Sequence, residues 1–298
     1  MEIIRQLEYI PNLSVALGFF DGVHLGHQKV ISSAVEYAKN NNLKSAVITF
    51  KEHPFCVLKN IKPQYILSRQ DSYKIIEQLG VDYIFELDFN QLKNMSAEEY
   101  LSDVLVKYFS PSAIFTGYNH NFGANRQGNC DFLRKYQGKY SYKYFEIPAQ
   151  SINGKLISSS AIRMALKSGQ IELANRMLGS RFNISGTVVE GQKLGRTIGF
   201  PTINIDYPKN IVELLYGVYG VKVKVESQVY DGIANFGTKP TVSENLKPIL
   251  EVHLLDFDKD IYGHFVQIEF IKVIRPEKKF SSLTDLRNQI IVDISGLR

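Results

Sequence analysis

The first 180 residues alternate short apolar runs with longer amphipathic stretches, and this alternation limits the folds open to the chain. Residues 14–19 and 45–50 are short, apolar and partly β-branched, which predicts buried strands of a parallel sheet. Strand and helix alternating at this spacing predict an α/β domain. The same pattern predicts further strands over residues 83–87 and 113–116, and helices over 27–39, 71–79 and 97–109, the last capped by Ser96.

After residue 180 the pattern changes to strands separated by turns rich in Gly, Pro, Asp and Asn. Several strands without intervening helices predict a small antiparallel barrel or sandwich. The predicted strands cover residues 183–190, 218–225, 228–235, 250–257 and 265–274, followed by a terminal helix over 283–293. We therefore predict two domains, residues 1–180 and 181–298.

Composition excludes several classes of protein. Of 298 residues, 44% are hydrophobic and 22% charged, which argues against disorder. Two cysteines cannot build a disulfide framework. Charges are scattered through the first 14 residues and no apolar stretch approaches about 18 residues, so we expect neither a signal peptide nor a membrane span. The net charge of +5 suits phosphate ligands but is weak for a nucleic-acid-binding protein. We expect a cytoplasmic protein of small-molecule substrates, without nucleic-acid or membrane partners, and at most a weak homo-oligomer.

A run of glycines and histidines follows the first predicted strand and leads into the first long helix. Residues 18–27 read GFFDGVHLGH. Ligands bind at the carboxyl ends of parallel strands, and amides at a helix start favour phosphate. His24 and His27 can both hydrogen-bond phosphate oxygens that gain charge during transfer. An accidental spacing or a zinc site is the alternative, although Asp21 is the one further ligand in the run. The candidate nucleotide-binding residues here are Gly18, Phe19, Asp21, Gly22 and Gly26.

This run resembles the H-x-G-H signature of nucleotidylyl transferases. In its fuller form it resembles the adenylyltransferase half of bacterial bifunctional riboflavin kinase/FAD synthetases. Residues 157–163, ISSSAIR, resemble that family's S-S-T-x-I-R motif, with Ser160 in place of Thr. The resemblance implies a Rossmann-like nucleotidyltransferase domain in which Ser159, Ser160 and Arg163 hold ATP phosphates. A plain serine helix cap is the alternative for these serines.

Two further segments resemble flavin-binding parts of that family. Residues 49–54, TFKEHP, occupy the place of T-F-D-P-H-P, with Lys51 and Glu52 replacing its Asp-Pro pair. Residues 117–123, GYNHNFG, resemble the G-x-[DN]-x-x-F-G loop. The resemblance implies that flavin is bound by His53, Asn119 and Phe122.

A second glycine-rich run lies in the β-rich half. Residues 191–204 read GQKLGRTIGFPTIN, which departs from a P-loop in spacing and in the residue after the second glycine. Thr202 and Asn204 stand at i and i+2 on a predicted strand, so both face one side and can supply oxygen ligands to Mg²⁺. A glycine-rich hairpin turn with solvated charges is the alternative. The candidate nucleotide-binding residues are Gly191, Lys193, Gly195, Arg196, Gly199 and Pro201.

The whole span resembles the riboflavin kinase signature G-x-x-x-G-R-x-x-G-F-P-T-x-N. The resemblance implies that the C-terminal domain is an antiparallel β-barrel with a terminal helix. Glu251, at the start of the strand EVHLLDFD, is similar to the catalytic carboxylate of that family. The resemblance implies that Glu251 accepts the proton of the riboflavin 5′-hydroxyl and that Arg275 belongs to a flap over the flavin. His253 and His264 are expected to be structural.

The resemblance covers nearly the whole chain and implies two successive reactions. The C-terminal domain is expected to phosphorylate riboflavin to FMN with ATP and Mg²⁺. The N-terminal domain is expected to adenylate FMN to FAD, with His24, His27 and Arg163 stabilising charge. Two alternatives stay open: a protein with one active half, the N-terminal half being the weaker, or a flavin-sensing regulator on the same scaffold.

Overall fold

The structure is a computed structural model that describes residues 1–191, 194–238 and 248–297, with the backbone alone for Leu194. The chain forms two compact units. The first comprises Met1–Pro63 and Arg69–Ser158, and the second comprises Gln64–Ser68 and Ser159–Arg298. Each unit is described by itself below, and a domain boundary at residue 180 remains a prediction. No helix in the described ranges is long and apolar enough to cross a membrane.

The first unit is built on a six-stranded parallel sheet in the order β1-β4-β3-β2-β5-β8, which confirms the predicted α/β class. From β2 the chain winds through β3 and β4 on one side, and then through β5 and β8 on the other. The topological switch point therefore lies between β2 and β5, where such sheets bind ligands. The strands are β1 Glu2–Ile4, β2 Leu13–Leu17, β3 Lys44–Phe50, β4 Tyr83–Leu87, β5 Ala113–Gly117, β6 Asn121–Phe122, β7 Gly128–Asn129 and β8 Lys143–Ile147.

Helices cover this sheet, and β6 pairs with β7 in a separate hairpin. The capping prediction at Ser96 is confirmed, because its Oγ accepts from the Glu99 amide while Glu99 Oε2 accepts from the Ser96 amide. A π-helix, Tyr100–Phe109, continues directly from α5. The helices are α1 Leu25–Asn40, α2 Pro54–Lys59, α3 Arg69–Gln78, α4 Phe89–Leu92, α5 Ala97–Glu99 and α6 Cys130–Tyr136.

The two faces of the sheet bury two separate apolar cores. Successive side chains of a strand point to opposite faces, so on β2 Leu13 and Val15 enter one core and Ala16 enters the other. The π-helix covers the first core and α1 covers the second, each with apolar residues spaced at one helical face. These covering residues are Leu101, Val104, Leu105 and Phe109 in the first core, and Val30, Ile31, Ala34 and Val35 in the second.

The second unit contains a closed antiparallel barrel in the order β11-β12-β15-β14-β13-β16, which confirms the predicted barrel. Closure pairs every strand on both sides and leaves no open edge. Two short strands end the first unit, β9 Ser151–Ile152 and β10 Lys155–Leu156. Two helices of the second unit precede the barrel, α7 Ser159–Lys167 and α8 Ile171–Leu178. The barrel strands are β11 Asn183–Val189, β12 Ile203–Asp206, β13 Gly217–Val225, β14 Gln228–Thr238, β15 Pro248–Leu254 and β16 Phe265–Pro276, with helices α9 Leu194–Thr197 and α10 Leu283–Ser295.

The segment Gln64–Ser68 pairs with the second unit although its sequence neighbours belong to the first. The Tyr65 amide donates to the Asn210 carbonyl at 2.7 Å, and the Val212 amide donates to the Tyr65 carbonyl at 2.8 Å. Tyr65 thereby forms a parallel bridge with Ile211. This short stretch is a backbone-paired part of the second unit.

A buried carboxylate lies on β4 of the first unit. Glu86 is only 2% exposed, and it accepts hydrogen bonds from Arg5 Nε at 3.2 Å, from Arg69 and from the Tyr73 hydroxyl. Burial, reinforced by the bond to Glu86, raises the pKa of the Tyr73 hydroxyl above its ordinary value. These three hydrogen bonds replace the bonds to water that the carboxylate loses on burial, and a buried carboxylate needs such partners.

We predict that Glu86→Ala destabilises the first unit by about 1–3 kcal/mol, because it removes the buried acceptor that the half-buried Tyr73 hydroxyl shares with two largely exposed arginines. Hydrogen exchange of the β4 amides should accelerate accordingly. Glu98→Ala is the matched control, since Glu98 pairs with Lys139 at the surface and exposed ion pairs contribute little. Equal exchange in the two variants would contradict a structural role for the buried carboxylate.

Candidate active sites

The loop after β2 turns tightly into α1 at the switch point of the parallel sheet. Asp21–Val23 form a buried 3₁₀ turn in which Gly22 has a φ of 77°, a conformation that glycine adopts readily. At Gly18 a Cβ would lie 2.8 Å from the Phe20 ring, so this position admits no side chain without a shift. The turn delivers His24 to the N-cap of α1.

The two histidines of this loop form one stacked pair. His24 Nδ1 accepts a hydrogen bond from the His27 amide at 3.2 Å, and the ring centroids are 3.6 Å apart at 18°. A Cβ at Gly26 would lie 3.1 Å from His24 Cε1, so the glycine makes room for the stack. The two imidazoles thus lie in one group at a helix start, as their spacing predicts.

Both imidazoles are neutral near pH 7. Burial lowers the pKa of His24 to about 4, and burial together with the charge of His24 lowers the pKa of His27 well below its ordinary value. Because His24 Nδ1 accepts a bond, the proton of its neutral ring lies on Nε2. His27 Nδ1 is buried and makes no hydrogen bond in the described structure. The pair can bind anionic oxygens through N–H groups without carrying charge.

A zinc site at this loop gains no support. Among the residues that the structure describes, no group of three or more His, Cys, Asp or Glu side chains is placed to hold a metal. Asp21 is buried in the 3₁₀ turn, and the histidines use one another as partners.

The loop after β3 contacts the loop after β2. The Phe19 and His53 rings lie 4.5 Å apart, and Thr49 Oγ1 donates to the Phe19 carbonyl at 3.2 Å. His53 Nδ1 also accepts from the Phe55 amide and so caps α2. Two predicted ligand residues, Phe19 and His53, are therefore neighbours.

The loop after β5 carries the other two predicted flavin residues. Asn119 is exposed, whereas Phe122 is half-buried with its ring 5.7 Å from the Tyr100 and Phe132 rings. A Cβ at Gly128 would lie 2.5 Å from the Phe122 ring, so the absence of a side chain at this glycine leaves room for the ring. Phe122 is held as part of the core, and Asn119 is open to a ligand.

The serine–arginine motif falls in the second unit. Ser159 begins α7 and is half-buried, Ser160 is exposed, and Arg163 Nε donates to the Gln64 carbonyl at 2.7 Å. The grouping of these three residues with the histidine pair stays a prediction.

A cavity of about 240 Å³ in the second unit gathers four of the predicted kinase residues, Gly195, Thr202, Glu251 and Arg275. Most of its remaining wall is apolar and comes from barrel strands, from α10 and from the loops beside them, which suits a flat aromatic ligand. The apolar lining residues are Ile198, Phe200, Val218, Ile233, Ala234, Phe280, Leu286 and Ile290.

A second cavity, of about 510 Å³, shares the lining residue Thr202 with the first. Its walls include two other predicted nucleotide residues, Arg196 and Pro201, and the cation Lys259. One threonine therefore borders both cavities. Two ligands bound in these spaces would approach one another at this side chain.

Three polar side chains form a row across adjacent barrel strands. Asn204 on β12 is directly opposite Glu251 on β15, and Glu251 is directly opposite Asn235 on β14. Opposite residues share one face of a sheet, so these side chains lie together. Asn204 Oδ1 is buried without a hydrogen-bond partner in the described structure. An oxygen of this kind is available to a hard cation.

The glycines of the second run make close approaches possible. At Gly191 a Cβ would lie 2.2 Å from Asn204 Nδ2, and at Gly195 it would lie 2.3 Å from the Phe200 carbonyl oxygen. Gly199 has a φ of 86° and open space around it. Lys193 lies outside the described residues.

The side chain of Arg275 lines the smaller cavity and is held by a buried acid. Its Nε lies 3.0 Å from both carboxylate oxygens of Asp293 on α10, and Asp293 is 2% exposed. Gln289 Nε2 donates to Asp293 Oδ1 at 3.0 Å, and the guanidinium lies 5.4 Å from the Phe280 ring centroid. This cluster fastens α10 to β16 beside the cavity.

The comparisons with known proteins agree with this architecture. A family model described as FAD synthetase matches residues 7–161, and one described as riboflavin kinase matches residues 178–298. The bifunctional riboflavin kinase/FMN adenylyltransferase of Buchnera aphidicola subsp. Schizaphis graminum is 37% identical over 99% of this chain and 97% of its own. The protein of that name from Bacillus subtilis is 38% identical over 94% of this chain and 89% of its own.

The chain belongs to the bifunctional riboflavin kinase/FMN adenylyltransferase family. A crystal structure of a protein from Streptococcus pneumoniae, named as a macrolide-efflux protein, is 30% identical and covers 99% of this chain and 98% of its own. The TM-score is 0.91, so the two chains share the same fold over their full length. The efflux name belongs to the Streptococcus protein and assigns no activity to this chain.

Sequence reasoning missed several residues that line the smaller cavity. Asp293 was not predicted, since nothing in its local pattern distinguishes it from a surface polar residue, and Asn235 was given no role in the site. His253 was expected to be structural, and its Nδ1 does donate to the Pro201 carbonyl at 2.7 Å, yet the side chain also lines the cavity. His264 Nδ1 lies 3.4 Å from Glu226 at the surface.

The lowered pKa of His24 predicts acid sensitivity of the first unit. The unfolded chain protonates this side chain near pH 6.5, whereas the folded chain resists protonation to about pH 4. Protonation therefore favours unfolding in this interval, and the free energy of unfolding falls as the pH falls from 6.5 to 4. His24→Asn keeps an N-cap acceptor and removes the titration, so the pH dependence should be shallower by up to about 1.4 kcal/mol per pH unit.

Hydrogen exchange of the α1 and β2 amides, measured from about pH 7 to about pH 4, checks this prediction in the intact chain. An unchanged pH dependence in His24→Asn would show that the buried imidazole is not responsible for acid sensitivity.

A second prediction concerns the Arg275–Asp293 pair. Asp293→Asn removes the charge that balances the guanidinium, and hydrogen bonds to charged groups contribute about 1.5–3 kcal/mol. Exchange of the α10 amides should accelerate at least about 10-fold. Asp231→Asn is the control, because Asp231 pairs with Lys222 at the barrel surface. Unchanged exchange in α10 would mean that other contacts hold this helix.

Proposed function

We propose that this chain phosphorylates riboflavin to FMN with ATP and Mg²⁺, and then adenylates FMN to FAD with release of pyrophosphate. The observation that carries the proposal is the presence of two sites with different chemistry. One unit holds a neutral histidine pair at a helix start, and the other holds a carboxylate and a threonine at two cavities that share the threonine. The family membership supports the same two reactions in the same order along the chain.

In the kinase reaction, riboflavin occupies the apolar cavity and ATP occupies the larger one. Glu251 accepts the proton of the ribityl 5′-hydroxyl as that oxygen attacks the γ-phosphorus, and ADP leaves. Arg196, which is exposed and lines the larger cavity, binds the phosphates. Arg275 and Phe280 border the flavin. The position of Thr202 on the wall of both cavities supports this arrangement, because phosphoryl transfer requires the acceptor and the donor to be in line.

The proposed Mg²⁺ ligands are Thr202 and Asn204. The residues fit this ion, because Asn204 Oδ1 is a buried oxygen that lacks a partner in the described structure and Thr202 supplies a hydroxyl oxygen. When bound, the metal neutralises charge on the ATP phosphates. Gly191 keeps the space that the Asn204 side chain occupies, so the glycine positions this ligand.

In the adenylyltransferase reaction, an FMN phosphate oxygen attacks the α-phosphorus of ATP. The bond from that phosphorus to its bridging oxygen breaks, and pyrophosphate leaves. The substrate supplies the nucleophile, so the protein contributes positioning and hydrogen bonds. His24 Nε2–H and His27 donate to oxygens that gain charge. Ser159, Ser160 and Arg163 are proposed to hold the remaining phosphates.

The neutral state of the histidines supports this role. A stacked pair that carried two positive charges would repel itself, whereas two neutral rings bind an anion without that cost. The helix start adds backbone amides and the positive end of its dipole. We further propose that the protein acts in the cytoplasm, without nucleic-acid or membrane partners and with weak self-association at most.

We predict that substitutions in the two sites separate the two activities. His27→Ala should lower FAD formation from FMN by about 10²–10³-fold, the usual effect of losing one transition-state donor, and leave FMN formation unchanged. Glu251→Gln should lower FMN formation by about 10²–10⁴-fold, since it removes the base, and leave FAD formation from added FMN unchanged.

The measurement incubates each purified variant with riboflavin or FMN plus MgATP and separates FMN from FAD. Each variant is the control for the other. Loss of both activities in either folded variant would refute independent sites. If the unmodified protein forms no FAD, the kinase is its one activity. This outcome is tested because Lys51 and Glu52 replace the Asp-Pro pair of the family motif.

A further inference from the structure

One histidine of the second unit lines the smaller cavity but has no part in either proposed reaction. His253 stands two residues after Glu251 on β15, so both side chains point to the same face of the strand. Both side chains line the cavity that riboflavin is proposed to occupy. The backbone of His253 is fixed, since it lies directly opposite Ile233 on β14. A rigid strand therefore presents this imidazole to the cavity.

The imidazole of His253 binds the loop that leads into β12. Its Nδ1 donates to the Pro201 carbonyl at 2.7 Å, and Nδ1 must carry the proton because a carbonyl oxygen can only accept. The imidazole also meets the Phe200 ring edge to face, with centroids 5.4 Å apart at 89°. One side chain of β15 thus contacts two consecutive residues of the second glycine-rich run.

Thr202 comes directly after these two residues and lies just before the strand pairing begins. β12 starts at Ile203, which is opposite Val252 on β15. Continued by one position, this register sets Thr202 opposite His253. The hydrogen bond from His253 to Pro201 therefore fastens the chain to β15 on the side of Thr202 where the strand has not yet begun.

Other hydrogen bonds of this loop run within it. The Phe200 amide donates to the Gly195 carbonyl at 2.8 Å, and the Gly199 amide donates to the Arg196 carbonyl at 3.3 Å. Bonds of this kind fix the shape of the loop. The bond from His253 has a different effect, because it ties the end of the loop to β15.

We propose that His253 is a positioning residue of the kinase reaction: by holding the Pro201 carbonyl, it sets the position of the Thr202 hydroxyl. The inference rests on the proposed function, in which Thr202 is a ligand of Mg²⁺ on the wall that both cavities share. His253 acts through Thr202 and not on the transferred phosphoryl group. Removing a partner that orients a metal ligand lowers activity or metal affinity by about 10–100-fold.

The test compares His253→Leu with His253→Asn in the full-length protein. Leucine packs against Phe200 but has no donor, so the kcat for FMN formation should fall about 10–100-fold while the KM for riboflavin stays unchanged. Asparagine carries an N–H donor as many bonds from the backbone as imidazole Nδ1, and it should recover most of the loss. FAD formation from added FMN should be unchanged in both variants.

The matched control is His264→Leu. His264 belongs to the same barrel, and its imidazole lies beside Glu226 at the surface. This variant should form FMN at the rate of the unmodified protein. A loss in it equal to that of His253→Leu would show that the assay reports general damage to the barrel, and it would contradict the inference.

Hydrogen exchange without nucleotide or metal tests the position of the loop independently of activity. Amides in residues 198–204 should exchange faster in His253→Leu than in the unmodified protein, because the tie to β15 is lost. Exchange in His253→Asn should stay near that of the unmodified protein. Equal exchange in all three proteins would mean that His253 does not hold the loop, and it would overturn the inference.

A merely structural His253 would act through its packing against Phe200. Leucine would then keep the kcat, whereas asparagine, which fills less space, would lower the thermal stability. That result overturns the inference, as does an equal loss of kcat in both variants or a loss confined to the KM for riboflavin. If the unmodified protein and His253→Leu form FMN at the same rate, the inference alone fails. If the unmodified protein forms no FMN, the proposed kinase reaction fails and the inference fails with it.

Discussion

Burying a polar atom without a hydrogen-bond partner destabilises a folded protein, and both units show how this cost is avoided. The barrel closes so that every strand is paired on both sides, and the parallel sheet encloses Glu86 with three donors. Against this background the few buried atoms that lack partners in the described structure are informative. Two of these atoms, His27 Nδ1 and Asn204 Oδ1, belong to the proposed sites. We propose that a phosphate group is bound beside the first and a cation beside the second.

The candidate sites of the two units differ in charge: the first contains neutral imidazoles and the second contains an ion pair. In the first unit, burial removes charge from the imidazoles, so the site offers donors that do not repel one another. In the second unit, Glu251 lines a cavity together with the ion pair of Arg275 and Asp293. The difference follows from the nucleophiles. FMN brings an anionic phosphate and needs no base, whereas the riboflavin hydroxyl must lose a proton as it attacks.

The sequence predicts elements well where one property dominates. β2 and β3 are continuous apolar runs because both faces of the sheet are covered, and they were predicted. β1 is three residues long and β8 is half-exposed at the sheet edge, so neither has that pattern, and both were missed. Motif resemblance predicted Glu251, Thr202 and Gly195, which share one cavity. Asp293 was not predicted, because its ion pair with Arg275 arises from the packing of α10 on the barrel.

The segment Gln64–Ser68 has a consequence for how the protein can be divided. Its backbone is hydrogen-bonded to Asn210 and Val212, and its Gln64 carbonyl accepts from Arg163, so it belongs to a unit whose remaining residues begin only at Ser159. A single proteolytic cut near Ser158 therefore does not yield two complete pieces. The amino-terminal fragment keeps a segment whose partners it has lost, and the carboxyl-terminal fragment lacks it. Neither half alone therefore contains the complete second unit.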